Sequence, residues 1–227
     1  METPYEAERT FTEVRELSEE LERIPEVPQS LEILPDGTEV LVTGEPQSAA
    51  RFGHLQGENT FGYLGTSGLV CCEELLRQTA QEFTEEDLVR YAGDHGLCTT
   101  DAPPEMNGGT TLMEQATILS DLGLPAQPDI LDSAEDLASH LEAGQGVILV
   151  VNAGELWKDP AAYGTGEANH SVLTTGMARN VETGEAAGFY INDSGSGKTA
   201  DFVSARDLKA AWLDCGGMVV TTYGSVC

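Results

Sequence analysis

The chain predicts an α+β domain, on two observations. Up to about residue 144, apolar residues recur at helical spacing behind repeated Ser/Thr-x-x-Asp/Glu capping signals; beyond it they form short continuous or alternating runs. Helices first and an antiparallel sheet afterwards is the layout of segregated layers. At 227 residues the chain suits one domain with an appended segment.

From Tyr5 to Ile24, Ala7, Phe11, Val14, Leu17, Leu21 and Ile24 form one helical stripe with Glu on the opposite face, and Pro25 and Pro28 end it. Leu31–Leu34, a turn through Pro35-Asp36-Gly37, and Glu39–Val42 predict a hairpin; residues 44–53 read as a linker. Residues 1–50 therefore form an acidic helix plus hairpin, serving as a propeptide, a partner-docking arm or a packed extension, and residues 51–227 form the main unit. In that unit a Gly-rich loop, 57–68, runs into a helix over 69–80. Thr84-Glu85-Glu86-Asp87 opens a second helix to Ala92, Thr111-Leu112-Met113-Glu114 a third to about Gly123, and Ser133-Ala134-Glu135-Asp136 a fourth to about Gly144. Val147–Asn152 is a continuous apolar run typical of a buried strand; Ser171–Met177, Gly188–Asp193 and Met218–Tyr223 are further strands. A helix capped by Ser204 and Asp207 is expected over Ala205–Leu213.

The net charge of −28 argues against a nucleic-acid or anionic-membrane partner, because a phosphate surface would be repelled. Two readings of the acidity stay open: solubility, and an acidic face that selects basic peptides. No apolar stretch is long enough to span a membrane, and the acidic start lacks the apolar core of a secretory signal. Cys71, Cys72, Cys98, Cys215 and Cys227 are an odd number without a CxxC pair, which favours a reducing compartment over a disulfide framework or zinc site. A cytoplasmic location is expected, with export by a Sec-independent route left open. No metal or organic cofactor is implied.

The strongest constellation has three parts. Gln56 precedes the loop that delivers Ser67 to a helix start; Ala168-Asn169-His170-Ser171-Val172 places a histidine at a strand entrance; Gly188-Phe189-Tyr190-Ile191-Asn192-Asp193-Ser194-Gly195 ends the next strand with an amide and a carboxylate. Neighbouring strand residues face opposite ways, so only one of Asn192 and Asp193 can face His170; Asp193 is preferred because a carboxylate stabilises an imidazolium better.

In these residues, over about 54–222, the chain resembles the papain-like cysteine peptidases, specifically the bacterial C39-like group. That family carries an oxyanion Gln, a Cys-Gly opening a helix, a His opening a strand, and an Asp or Asn closing the next. The resemblance implies a papain-like fold, a helical half packed on a twisted antiparallel sheet with the site in the cleft between them. It implies Gln56 as oxyanion donor, His170 as base and then acid, Asp193 as its orienter, and position 67 as nucleophile. Gly65, Gly68 and Gly166 would leave room for an extended, Gly-containing peptide, with Asn169 and Trp157 beside it; C39 relatives cut after paired glycines. The substrate would be a peptide or protein, with residues 1–30 a further docking segment.

The chain departs from the pattern in two places. The gap between Gln56 and Ser67 is longer than usual, and Ser67 stands where the cysteine is expected. Three explanations of Ser67 remain: an introduced Cys-to-Ser change in a peptidase, a naturally inactive pseudopeptidase that binds peptides or proteins, and a working serine hydrolase, the last disfavoured because a hydroxyl is a far weaker nucleophile than a thiolate. Ser67 also suits an ordinary helix N-cap. Cys71, one turn further on, reads as a small core residue. Gly195-Ser196-Gly197-Lys198-Thr199 imitates a phosphate-binding loop, but Asn192 sits where its first Gly is needed. His54, His95 and His140 lack a second ligand at helical or strand spacing, and Trp212 reads as a core or cleft-wall aromatic.

Overall fold

The computed structural model describes residues 27–226; the helix expected over Tyr5–Ile24 and the residue Cys227 lie outside them. Among the described residues eight strands form one sheet: β1 (Gln29–Ile33), β2 (Glu39–Gly44), β3 (Ala126–Ile130), β4 (Gln145–Val151), β5 (His170–Asn180), β6 (Ala186–Asp193), β7 (Lys198–Ser204) and β8 (Met218–Ser225). Every pairing is antiparallel. The helices are α1 (Pro46–Ala49), α2 (Ser67–Gln78), α3 (Glu85–His95), α4 (Leu112–Asp121), α5 (Ala134–Glu142), α6 (Ala153–Trp157) and α7 (Ala205–Ala211).

The eleven-residue strand β5 organises the sheet. Along one edge its first half pairs with β4, from His170–Val151 to Thr174–Val147, and its second half with β2, from Gly176–Gly44 to Asn180–Val40. Its other edge carries β6, and β6 carries β7. A register shift between Thr174 and Gly176 lies where β4 gives way to β2. The hairpin set apart at the sequence level within residues 1–50 is thus hydrogen-bonded into the main sheet, and the expected linker forms α1 and a 3-10 turn over Ala50–Phe52.

Both sheet faces are covered, which explains the unbroken apolar run of β4. Alternation sends Ile148, with Leu173 and Val220, into a core shared with Leu69, Leu75 and Leu76 of α2, Leu88 of α3 and Ile118 of α4. Val147, Leu149 and Val151 point the other way, with Val172, Phe189 and Val219, against Leu137 of α5 and Leu208 and Trp212 at α7. Trp212 is fully buried, its indole donating to Met218 O at 3.1 Å.

The capping signals act as read. Thr84 and Thr111 close reciprocal boxes with Asp87 and Glu114, and Ser133 and Ser204 accept from the amides of Asp136 and Asp207. Two strands lay outside the sequence reading, β3 and β7. Each pairs with a single neighbour at the sheet margin, and β3 contains Pro128, which such a position tolerates.

Candidate active site

Ser67 is the first residue of α2 and Thr66 its N-cap, so Ser67 is not the capping residue that its type suggests. The Ser67 hydroxyl accepts a hydrogen bond of 3.2 Å from the backbone N–H of Ser171, the residue after His170. The start of α2 and the start of β5, 104 positions apart in the chain, therefore meet at one point.

His170 and Asp193 lie side by side because β5 and β6 are paired, Leu173 opposite Asn192. His170 Nε2 lies 2.7 Å from Asp193 Oδ1. The other carboxylate oxygen, Oδ2, accepts from Trp157 Nε1 at 2.7 Å and Ser196 Oγ at 2.5 Å, and the Gly195 amide donates to Oδ1 at 3.0 Å. Burial raises the Asp193 pKa, but the His170 bond, followed by the Ser196 and Trp157 bonds, outweighs it and holds the carboxyl at about 2. Asp193 is thus a carboxylate at neutral pH and engages the Nε2 side of the His170 ring. Asn192 faces away: its amide donates to Glu74 Oε2 at 2.6 Å and to Ala49 O at 3.1 Å, and its oxygen accepts from the Ala200 amide.

Gln56 bonds both neighbouring segments: its amide nitrogen donates to Leu64 O at 2.5 Å and its oxygen accepts from Ser194 Oγ at 3.1 Å, so it ties the 57–66 loop to Ser194, the residue after Asp193. Gly65 and Gly68 do not border open space. A Cβ on Gly65 would lie 2.8 Å from Glu105 O, and one on Gly68 would collide with the Thr110 hydroxyl and lie 2.5 Å from Gln115 Nε2. The space expected for substrate beside these two glycines is filled by the chain itself. Gly166 lies against the Tyr163 ring at a φ of +89°. Both ends of the Asn169 amide brace neighbouring loops, accepting from Ala153 N at 2.9 Å and donating to Ala162 O at 3.0 Å. Trp157, expected as a groove wall, packs its ring 5.3 Å from the His170 ring and supplies Asp193 with a donor.

Two buried polar residues of the site escaped the sequence reading. Gln115 of α4 donates to Ser171 Oγ at 3.2 Å and Thr110 Oγ1 at 3.1 Å. Glu85, 2% exposed at the first turn of α3, accepts from the amides of Gly57 and Glu58, from Asn59 Nδ2 and from Thr66 Oγ1, the last at 2.7 Å. Burying a carboxylate costs several kcal/mol, which ~1.5–3 kcal/mol from each charge-assisted bond can offset. The visible signal was position: Glu85 shares the three-to-four spacing of Leu88, Val89 and Ala92, the buried stripe of α3.

The remaining histidines are structural. His54 Nε2 lies 2.9 Å from Glu73, His95 stacks on Tyr91, and His140 bonds Gln145. Among the described residues no group of three or more His, Cys, Asp or Glu side chains is placed to hold a metal ion, and no helix is long and apolar enough to cross a membrane. Cys71 and Cys72 are buried, and burial pushes both thiols far up. Gly195 and Ser196, from the segment that imitates a phosphate loop, instead donate to Asp193.

No protein-family model and no curated protein matches the chain. Among solved structures it is similar to a candidate C39-like peptidase from Bacillus anthracis, with a TM-score of 0.50 and 14% identity over 69% of this chain and 88% of that one. The likeness is one of fold: helices and an open antiparallel sheet in the papain-like arrangement.

Proposed function

We propose that the chain is built as a papain-like peptidase of the C39-like kind, held in a non-cleaving form by serine at position 67. The carrying observation is the Ser67 hydroxyl at 3.2 Å from the Ser171 amide, next to the His170–Asp193 pair. With cysteine at this position, the thiolate would attack a peptide carbonyl carbon and His170 would protonate the leaving amine. Water, giving its proton to His170, would then hydrolyse the thioester. The start of α2 would supply backbone N–H groups to the oxyanion. A hydroxyl at the same place lacks the thiolate's nucleophilicity.

One observation favours a second reading, a pseudopeptidase that binds peptide or protein without cutting it: serine, not cysteine, stands at position 67. Ser67→Cys decides between them. Incubated with extended peptides, including Gly-Gly sequences, it should release cleavage products seen by mass spectrometry, and Ser67→Cys/His170→Ala should not. Intact peptides throughout, with binding to the unaltered chain, would favour the binding module.

A further inference from the structure

Among the described residues every hydrogen-bond donor to the buried Glu85 carboxylate comes from one segment, with the His54 ring beside it, Nδ1 3.9 Å from Oε2. The amides of Gly57 and Glu58, the Asn59 side chain and the Thr66 hydroxyl span the loop that ends at Ser67. Thr66 occupies the N-cap of α2, where a threonine ordinarily turns its oxygen onto the second or third helical amide. Here it makes no such bond; its ψ is 11° instead of the extended value of a capping residue, and its hydroxyl donates to Glu85 Oε1. Thr84, by contrast, caps α3 in the ordinary way, with φ −113° and ψ 163° and its oxygen on the Asp87 amide.

We propose that Glu85 is a positioning residue that holds the Thr66 hydroxyl away from the first amides of α2, keeping the positive end of the helix free for an anion at position 67. This rests on the peptidase reading of that position and deepens it, because a thiolate or oxyanion there would need the amides that an ordinary cap would occupy. Gly65 supports the same geometry. Its amide donates to Asn107 O at 2.9 Å, and its missing side chain lets the loop close onto residues 105–107.

The sign of one measurement separates this role from general loop support. Removing a nearby negative charge would by itself lower a thiol pKa at position 67. Releasing the Thr66 hydroxyl to cap α2 would raise it. The experiment is the pH dependence of iodoacetamide alkylation at position 67 in Ser67→Cys, Ser67→Cys/Glu85→Met and Ser67→Cys/Glu85→Met/Thr66→Val, with folding checked by circular dichroism; methionine leaves no oxygen to hold the Thr66 hydroxyl. The expected result is a pKa raised by about one pH unit on Glu85→Met and returned by Thr66→Val, which has no hydroxyl to place on the amides. A pKa that falls or stays constant on Glu85→Met, or a rise that Thr66→Val does not reverse, overturns the inference and leaves the peptidase reading standing. An ordinary thiol pKa in Ser67→Cys itself counts against the peptidase reading; the Glu85 role is still decided by the direction and reversal of the shift.

Discussion

The indole nitrogen of Trp157 and the imidazole of His170 divide the Asp193 carboxylate between them, Trp157 on Oδ2 and His170 on Oδ1, each at 2.7 Å. Gly195 seals the arrangement, since a Cβ there would lie 2.6 Å from the Trp157 ring and 2.9 Å from His170 Cε1. Trp157→Phe keeps the ring and removes the donor. It should cost about 1–3 kcal/mol of stability in urea unfolding, the range for a lost hydrogen bond to a charged group. Gly195→Ala should cost a comparable amount by displacing both rings.

Asn192 and Asp193 are adjacent and should fail in opposite ways. Asn192→Ala leaves the buried Glu74 carboxylate and the Ala200 amide without their partner, so a loss of roughly 2–4 kcal/mol in stability is expected, with little change in alkylation at position 67 of Ser67→Cys. Asp193→Asn should reduce that alkylation about tenfold or more at a smaller cost in stability. Equal effects of the two on both measurements would be inconsistent with the division seen here.

Gly68→Ala should destabilise the chain by about 1–3 kcal/mol, because the added methyl meets the Thr110 hydroxyl and the Gln115 amide. Gln115→Ala in the same background should relieve part of that cost, so thermal unfolding of the two single variants and the pair gives a non-additive cycle.

Stability should decline as pH rises from 5 to 9.5. The hydrogen bond to Glu73 raises His54 to about 9, against burial, and burial raises Glu74 to about 7. Both folded values lie above the ordinary ones of 6.5 and 4.5, so the native state binds these protons more tightly. The Glu74 contribution is complete below 4.5 and fades through about 7; that of His54 is complete below 6.5 and fades through about 9. Calorimetry should show the melting temperature falling by roughly 10 °C or more across this range. In His54→Gln the part of the decline above about pH 7, beyond the Glu74 range, should disappear.

Much of the fold was legible because its signals are local. Capping boxes at Thr84 and Thr111 and the apolar run at Val147–Val151 each name an element without reference to the rest of the chain. The pairing of His170 with Asp193 was legible for a similar reason: strand alternation allows only one of residues 192 and 193 to share the sheet face of His170. The hidden parts depend on long-range packing. The spacing of α3 puts Glu85 on the buried stripe, but nothing local names the loop donors its carboxylate meets, while Glu86 stays nearer the surface, bonding Thr60 and Arg90. Gln56 matched the family pattern in residue type, and its bond to Leu64 O depends on the curl of the loop after it, which no local signal gives. Trp157 was placed near the cleft for its apolar ring, whereas its N–H makes the contact with Asp193.

The claim at the centre of this account is that position 67 and His170 act on one another. The most direct measurement is the alkylation rate at pH 6 of Ser67→Cys, with and without His170→Ala, each cysteine followed by peptide mass spectrometry. The account predicts that Cys at position 67 reacts at least tenfold faster than the half-buried Cys98 and the buried Cys71 and Cys72, and that His170→Ala removes the advantage. Labelling of Cys98 first in folded protein, or a rate at position 67 indifferent to His170→Ala, would contradict it.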